Sequence, residues 1–164
     1  MNTDTFASAL AAIFSELING AAKSEAYTLN AGDERLLVSL DKLSASDVSS
    51  ITTTGSSIAA HVDHLRYGLS LMNRWSRGEN PFKDANWAVS WRNTLVSDVE
   101  WQRLRADLRS ECMSWLAALR APRQVNEDEL NGMLGSIAHL AYHLGAIRQI
   151  NSAARGPRES GRTA

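Results

Sequence analysis

One cysteine, Cys112, is the only thiol in this 164-residue chain, which excludes an internal disulfide and the stapled frameworks of small secreted domains. The opening MNTDTFASAL lacks the basic stretch and long apolar run of a secretory signal, so a cytoplasmic protein is expected. Long hydrophobic runs are missing as well. Ser, Glu, Arg or His interrupts every apolar segment before it nears the roughly 18 residues that span a bilayer, and no membrane partner is expected. Net charge is almost absent: 17 Lys and Arg face 18 Asp and Glu, for a formal charge of -1. No bulk electrostatic case for a nucleic-acid partner survives that balance. Strand-like alternation of apolar and polar residues is lacking too, which leaves an all-helical reading. The partner must be sought in a site.

What is present is helical periodicity in four long segments. The first shows Phe6, Leu10, Ile13, Phe14, Leu17, Ile18 and Ala21 as a core-facing stripe, and is expected to end near Tyr27 to Gly32. A short piece, ERLLVSLDKL, follows before the Ser- and Thr-rich loop SSITTTGSS, which offers an N-cap at its end. The second long segment, IAAHVDHLRYGLSLMNRW, aligns Ile58, Val62, Leu65, Leu69 and Met72, with Gly78 just past its end. Residues 78–96 show no sustained period. A connection of that length in a compact domain commonly has a task, so Trp87 and Trp91 are expected to cover something.

Ser97 with Glu100 has the spacing of a capping box, and Leu104, Leu108, Cys112, Trp115 and Leu119 form the third stripe, which Pro122 closes. Asn126 with Glu127, Asp128 and Glu129 suits the positive end of a fourth helix. Its stripe is Leu130, Met133, Leu134, Ile137, Leu140, Ala141, Leu144 and Ile147. Residues 1–154 are expected to form one domain and 155–164, RGPRESGRTA, a disordered tail. Four amphipathic helices joined in this way bury their stripes most simply as a four-helix bundle.

All four histidines fall in two of these segments, as His61 with His64 and His139 with His143. Positions i and i+4 are neighbours on a helix, so His139 and His143 can aim ring nitrogens at one point. Both lie at an edge of the apolar face, along Gly132, Ser136, His139, His143 and Ala146, where small residues leave space. His64 sits at a matching edge of the second helix with Gly68 one turn on and Trp75 beyond, and His61 lies between His64 and the stripe centre. If the edges meet, three imidazoles converge on an ion with positions left for water or substrate. A single histidine in such a place is most simply half-buried packing material, and HxxxH alone is a weak signal. The Glu of HExxH is missing, and no Glu-x-x-His supports a di-iron site, so neither zincin nor ferritin-like chemistry fits.

The stretches SIAAHVDHL, residues 57–65, and HLAYHLGAI, residues 139–147, resemble the DinB-like family, the DinB/YfiT-like putative metalloenzymes. Its members carry a His in the second helix within a pattern like S-I-x-x-x-x-x-H-L, and H-x-x-x-H-x-G-Q-I in a late helix. The resemblance extends to the order of elements up to about residue 151. It implies a four-helix bundle, often a homodimer, in which His64, His139 and His143 are the metal ligands and His61 is a neighbour. Ala146 stands where the family has Gln, a departure close to the site. Some relatives are thiol-dependent transferases or isomerases, so a low-molecular-weight thiol cosubstrate and a small-molecule substrate are implied.

Imidazole ligands suit zinc or nickel, and a divalent ion held by neutral ligands would activate a small thiol or water. No general base is identifiable, since Asp63 and Tyr142 adjoin ligands in sequence but point about 100° away. Cys112, inside a stripe, reads as core; Arg148 reads as capping a solvated face, with an anionic substrate as the other use. The competing reading is a non-catalytic helical bundle, a binding or stress-related protein with a vestigial or structural metal site. Haem held between the His pairs is a third, which a Soret band would reveal.

Overall fold

The computed structural model describes residues 3–20, 26–30, 32–53, 55–122 and 124–154; the tail at 155–164 lies outside the described residues. Six α-helices carry the structure among the described residues: α1 Thr3–Asn19, α2 Leu36–Asp41, α3 Ala45–Val48, α4 Ile58–Ser76, α5 Asp98–Arg120 and α6 Glu127–Ile150. Three 3-10 turns, Pro81–Asp84, Val89–Trp91 and Ser152–Ala154, complete it, and no strand occurs among the described residues. None of these helices is long and apolar enough to cross a membrane.

The long helices begin where their caps dictate. Ser57 accepts from the Ala60 amide, and Ser97 and Asn126 each form a full capping box, with Glu100 and Glu129 returning to the cap amides. Helix α5 stops at Arg120, before Pro122. The end of α1 differs from expectation. The helix stops at Asn19 because Gly20 turns left-handed, at φ 89°, and its N–H bonds the Glu16 carbonyl. Ala21 lies outside the described residues, and 26–30 are not helical. The buried Glu16 carboxylate then gathers the returning chain, accepting from the amides of Tyr27, Thr28 and Leu29 at 2.7–2.9 Å and from the Thr28 hydroxyl at 2.7 Å. Helix α3, opened by a Ser44–Asp47 capping box, was not foreseen either.

Helix α4 packs on α5 and α6, and α1 packs on the same two from the other side, so the four long helices close a ring around one apolar core. Phe14, Ile18, Ile58, Leu108, Trp115 and Leu140 are fully buried within it. Replacing one of the larger of these by Ala would cost about 3–5 kcal/mol, part transfer and part cavity. Two buried indoles are paired: Trp115 Nε1 donates to Ser136 Oγ at 2.9 Å, and Trp101 Nε1 to the Leu43 carbonyl at 2.8 Å. Leu134 corrects the expected stripe of α6; it is 45% exposed while its neighbour Met133 points inward, because adjacent helical positions diverge by about 100°.

Residues 80–96 form a strap that runs antiparallel along α4. The contacts descend the strap as they climb the helix: Ser57 Oγ donates to the Thr94 carbonyl, Asn93 Nδ2 donates to Asp63, Ser90 meets His64, and the Asn86 amide donates to the Tyr67 hydroxyl, all at 2.5–2.8 Å. This strap brings two tryptophans to the histidine face of α4.

Candidate metal centre

Packing of α4 on α6 brings His64, His139 and His143 together. His139 Nε2 lies 3.1 Å from His64 Nε2 and 3.0 Å from His143 Nε2, and one ligand atom from each of the three fits within a 4.8 Å span. Two imidazole nitrogens bound to one ion at about 2.1 Å stand roughly 3.0–3.4 Å apart, depending on coordination geometry. The two spacings to His139 are at the short end of that range.

Hydrogen bonds on the far sides of the rings decide which nitrogens are free. Ser90 Oγ gives its proton to the Trp87 carbonyl at 2.7 Å, so toward His64 Nδ1, 2.8 Å away, it accepts. His64 is thereby held as the Nδ1–H tautomer with its Nε2 lone pair facing the cluster. His143 Nδ1 lies 2.8 Å from His61 Nδ1. With the proton on His143, that bond likewise leaves the His143 Nε2 lone pair free. His139 Nε2 faces both neighbours but has one proton or one lone pair, too little for two linear hydrogen bonds. A cation among the three lone pairs satisfies all of them at once, so the donor set fits a divalent ion.

Burial keeps these rings neutral. It is the largest cause holding His64 down at about 4 and His143 at about 3, with the neighbouring histidines adding to it and Asp63 opposing it at His64. Burial lowers His61 and His139 as well. Neutral imidazole is the form that binds metal, so protons do not compete near neutral pH.

Trp91 roofs the cluster. It stacks on His64 at 4.3 Å between centroids and 26° between planes, and meets His61 edge-on at 5.2 Å. Trp87 stands beside His64 at 5.5 Å. The expectation that these two cover something is met, while Trp75 packs elsewhere, against Gly132, where an added Cβ would lie 2.6 Å from its ring. Beside His139 a half-open cavity of about 260 Å³ is lined by Leu65, Gly68, Leu69 and Met72 of α4, Phe82 and Trp87 of the strap, and Gly132, Gly135, Ser136 and His139 of α6. The small residues noted along α6 do leave room.

Other candidates fall elsewhere. Asp63 is 3% exposed and engaged by Arg66 and Asn93, so it braces the strap. Tyr142 is 70% exposed, its ring edge-on to His143. Arg148 donates to Asp33 at 3.3 Å and to the Glu34 carbonyl, tying α6 to the segment before α2. Cys112 is fully buried, and burial, with Glu111 nearby, pushes its thiol up to about 12, out of reach of nucleophilic use. Ser90 was missed by sequence reasoning. Its signal was slight, a hydroxyl between two tryptophans in W-A-V-S-W.

No family model, curated protein or solved structure matches this chain. The geometry of the site must therefore carry the functional reading.

Proposed function

We propose that the protein is a metal-dependent enzyme, a four-helix bundle of the DinB/YfiT-like type, acting on a small-molecule substrate as a thiol-dependent transferase or isomerase, or as a hydrolase. The observation that carries this is the convergence of the His64, His139 and His143 Nε2 atoms. A divalent ion there, zinc or nickel, would keep its full charge among neutral ligands and so lower the pKa of a bound small thiol or water. The chain's own contribution is to hold three lone pairs in place through Ser90 and His61, and to shield them with Trp91. Two features favour a catalytic over a structural ion. Structural zinc sites are closed by four protein ligands, whereas three converge here, and His139 opens onto a cavity.

The test is metal analysis of tag-free protein, followed by a screen of small thiols as cosubstrates. Near-stoichiometric zinc or nickel, lost in His143→Ala, is expected. Less than about a tenth of an equivalent, unchanged on adding either ion, would overturn the reading. The homodimer that the resemblance implies is checked separately by light scattering.

A further inference from the structure

We infer that the cavity beside His139 binds an uncharged, largely apolar small molecule of bicyclic size, oriented with a polar end toward the three histidines. The binding step stands on the cavity; its meaning as substrate recognition rests on the metalloenzyme reading above.

The walls define the ligand by what they omit. No Asp, Glu, Lys or Arg is among the described residues that line the cavity. While the histidine cluster holds no ion, a carboxylate or phosphate placed there would lose its hydration with no counter-charge to replace it. Polar partners are almost as scarce. Ser136 is engaged in both directions, its hydroxyl donating to the Met133 carbonyl at 2.7 Å and accepting from Trp115 Nε1 at 2.9 Å. That leaves the His139 end as the place where a polar group of the ligand can be met.

Size follows from volume. An apolar cavity of roughly 150 Å³ holds benzene, and this one measures about 260 Å³. A fused two-ring molecule fills it, with Leu65, Leu69 and the Trp87 ring among its walls. Apolar walls with few, convergent polar groups are the usual form of a small-molecule site.

Gly135 supplies the handle for the test. A Cβ at Gly135 meets nothing within 4 Å, so a larger side chain there intrudes at the cavity rim without clashing with the fold. At the inner end, a Cβ on Gly68 would lie in ordinary contact, 3.5 Å from Trp87 and 3.7 Å from His139. The probes are indole and its charged counterpart indole-3-carboxylate, titrated by calorimetry into the full-length protein with and without chelator, with metal content measured on the same samples. In the chelator-treated protein indole is expected to bind with a dissociation constant at or below about 1 mM and at least about tenfold more tightly than the carboxylate. Gly135→Leu, and independently Gly68→Ala, should weaken indole about tenfold while metal content stays at the wild-type level.

The inference is overturned if indole does not bind, if the carboxylate binds the chelator-treated protein as well as indole does, or if both variants bind indole like the wild type. Should Gly135→Leu not fold, Gly68→Ala decides. Indole binding by a protein that takes up no metal would keep the cavity and sink the metalloenzyme reading; metal uptake without indole binding would do the reverse.

Discussion

Ser90 Oγ stands 2.8 Å from His64 Nδ1 while giving its own proton to the Trp87 carbonyl. The residue between two tryptophans thus fixes the tautomer of a histidine on another element. Outer partners of metal-binding histidines typically matter 10- to 100-fold. Ser90→Ala should therefore lower zinc or nickel affinity about 10- to 100-fold in a competition titration with a chelating dye. Unchanged affinity would show that the orientation of His64 comes from packing alone.

His61 and His143 should separate in the same assay. Replacing His143 by Ala removes a converging lone pair and should abolish stoichiometric binding. His61→Ala removes only the acceptor 2.8 Å from His143 Nδ1, so binding should persist, weakened about tenfold or more. Equal loss in both variants would mean that His61 is itself a ligand.

Stability of the chelator-treated protein should fall with acid before its carboxylates titrate. The folded chain holds His64 near 4 and His143 near 3, against 6.5 for the ordinary group. Below about pH 6.5 the unfolded chain takes up protons that the folded chain refuses, so stability is fully present above that pH. It then drains away as the pH falls toward the folded values. Melting temperatures followed by circular dichroism between about pH 8 and 5 should show this decline, and a flat profile would contradict it. The buried Glu16 adds a second, lower window. Burial alone would raise its pKa, but the bonds from the Tyr27, Thr28 and Leu29 groups outweigh it and lower the value below 4.5. Its share of stability is lost only as pH drops from about 4.5 through that lowered value.

Two glycines three residues apart on α6 should respond with opposite sign. Gly132→Ala drives a methyl to within 2.6 Å of the Trp75 ring, and overpacking of that kind costs about 1–3 kcal/mol. Gly135→Ala meets open space and gains helix propensity, up to about 1 kcal/mol. Denaturant midpoints for the pair test this; destabilisation of both would mean that the α6 backbone, not Trp75, requires glycine.

The helices were legible where local chemistry sets them. Ser57, Ser97 and Asn126 cap α4, α5 and α6 because cap spacing is a property of adjacent residues. The end of α1 was not, since Ala21 and Ala22 prolong a helical composition while the turn depends on the conformation of Gly20. At four residues α3 is too short to display a period. Leu134 and Met133 both fitted an apolar stripe, and only packing chooses which of two neighbours turns inward. For the site, the pairing of histidines in two segments pointed to a convergence, the DinB-like resemblance singled out His64 with His139 and His143, and the small residues along α6 pointed to the space beside them. Ser90 was invisible because its role exists only once the strap lies along α4.

That strap has one further consequence. The Trp87 ring forms a wall of the cavity, and the Trp87 carbonyl holds the hydroxyl that steers His64. One residue is thus mechanically common to the place where a molecule would sit and the place where an ion would sit. Occupancy of either should be felt at the other, and reciprocity requires the two affinities to change by the same factor. Titrating indole with and without zinc, then zinc with and without indole, should close that thermodynamic square with a factor other than one.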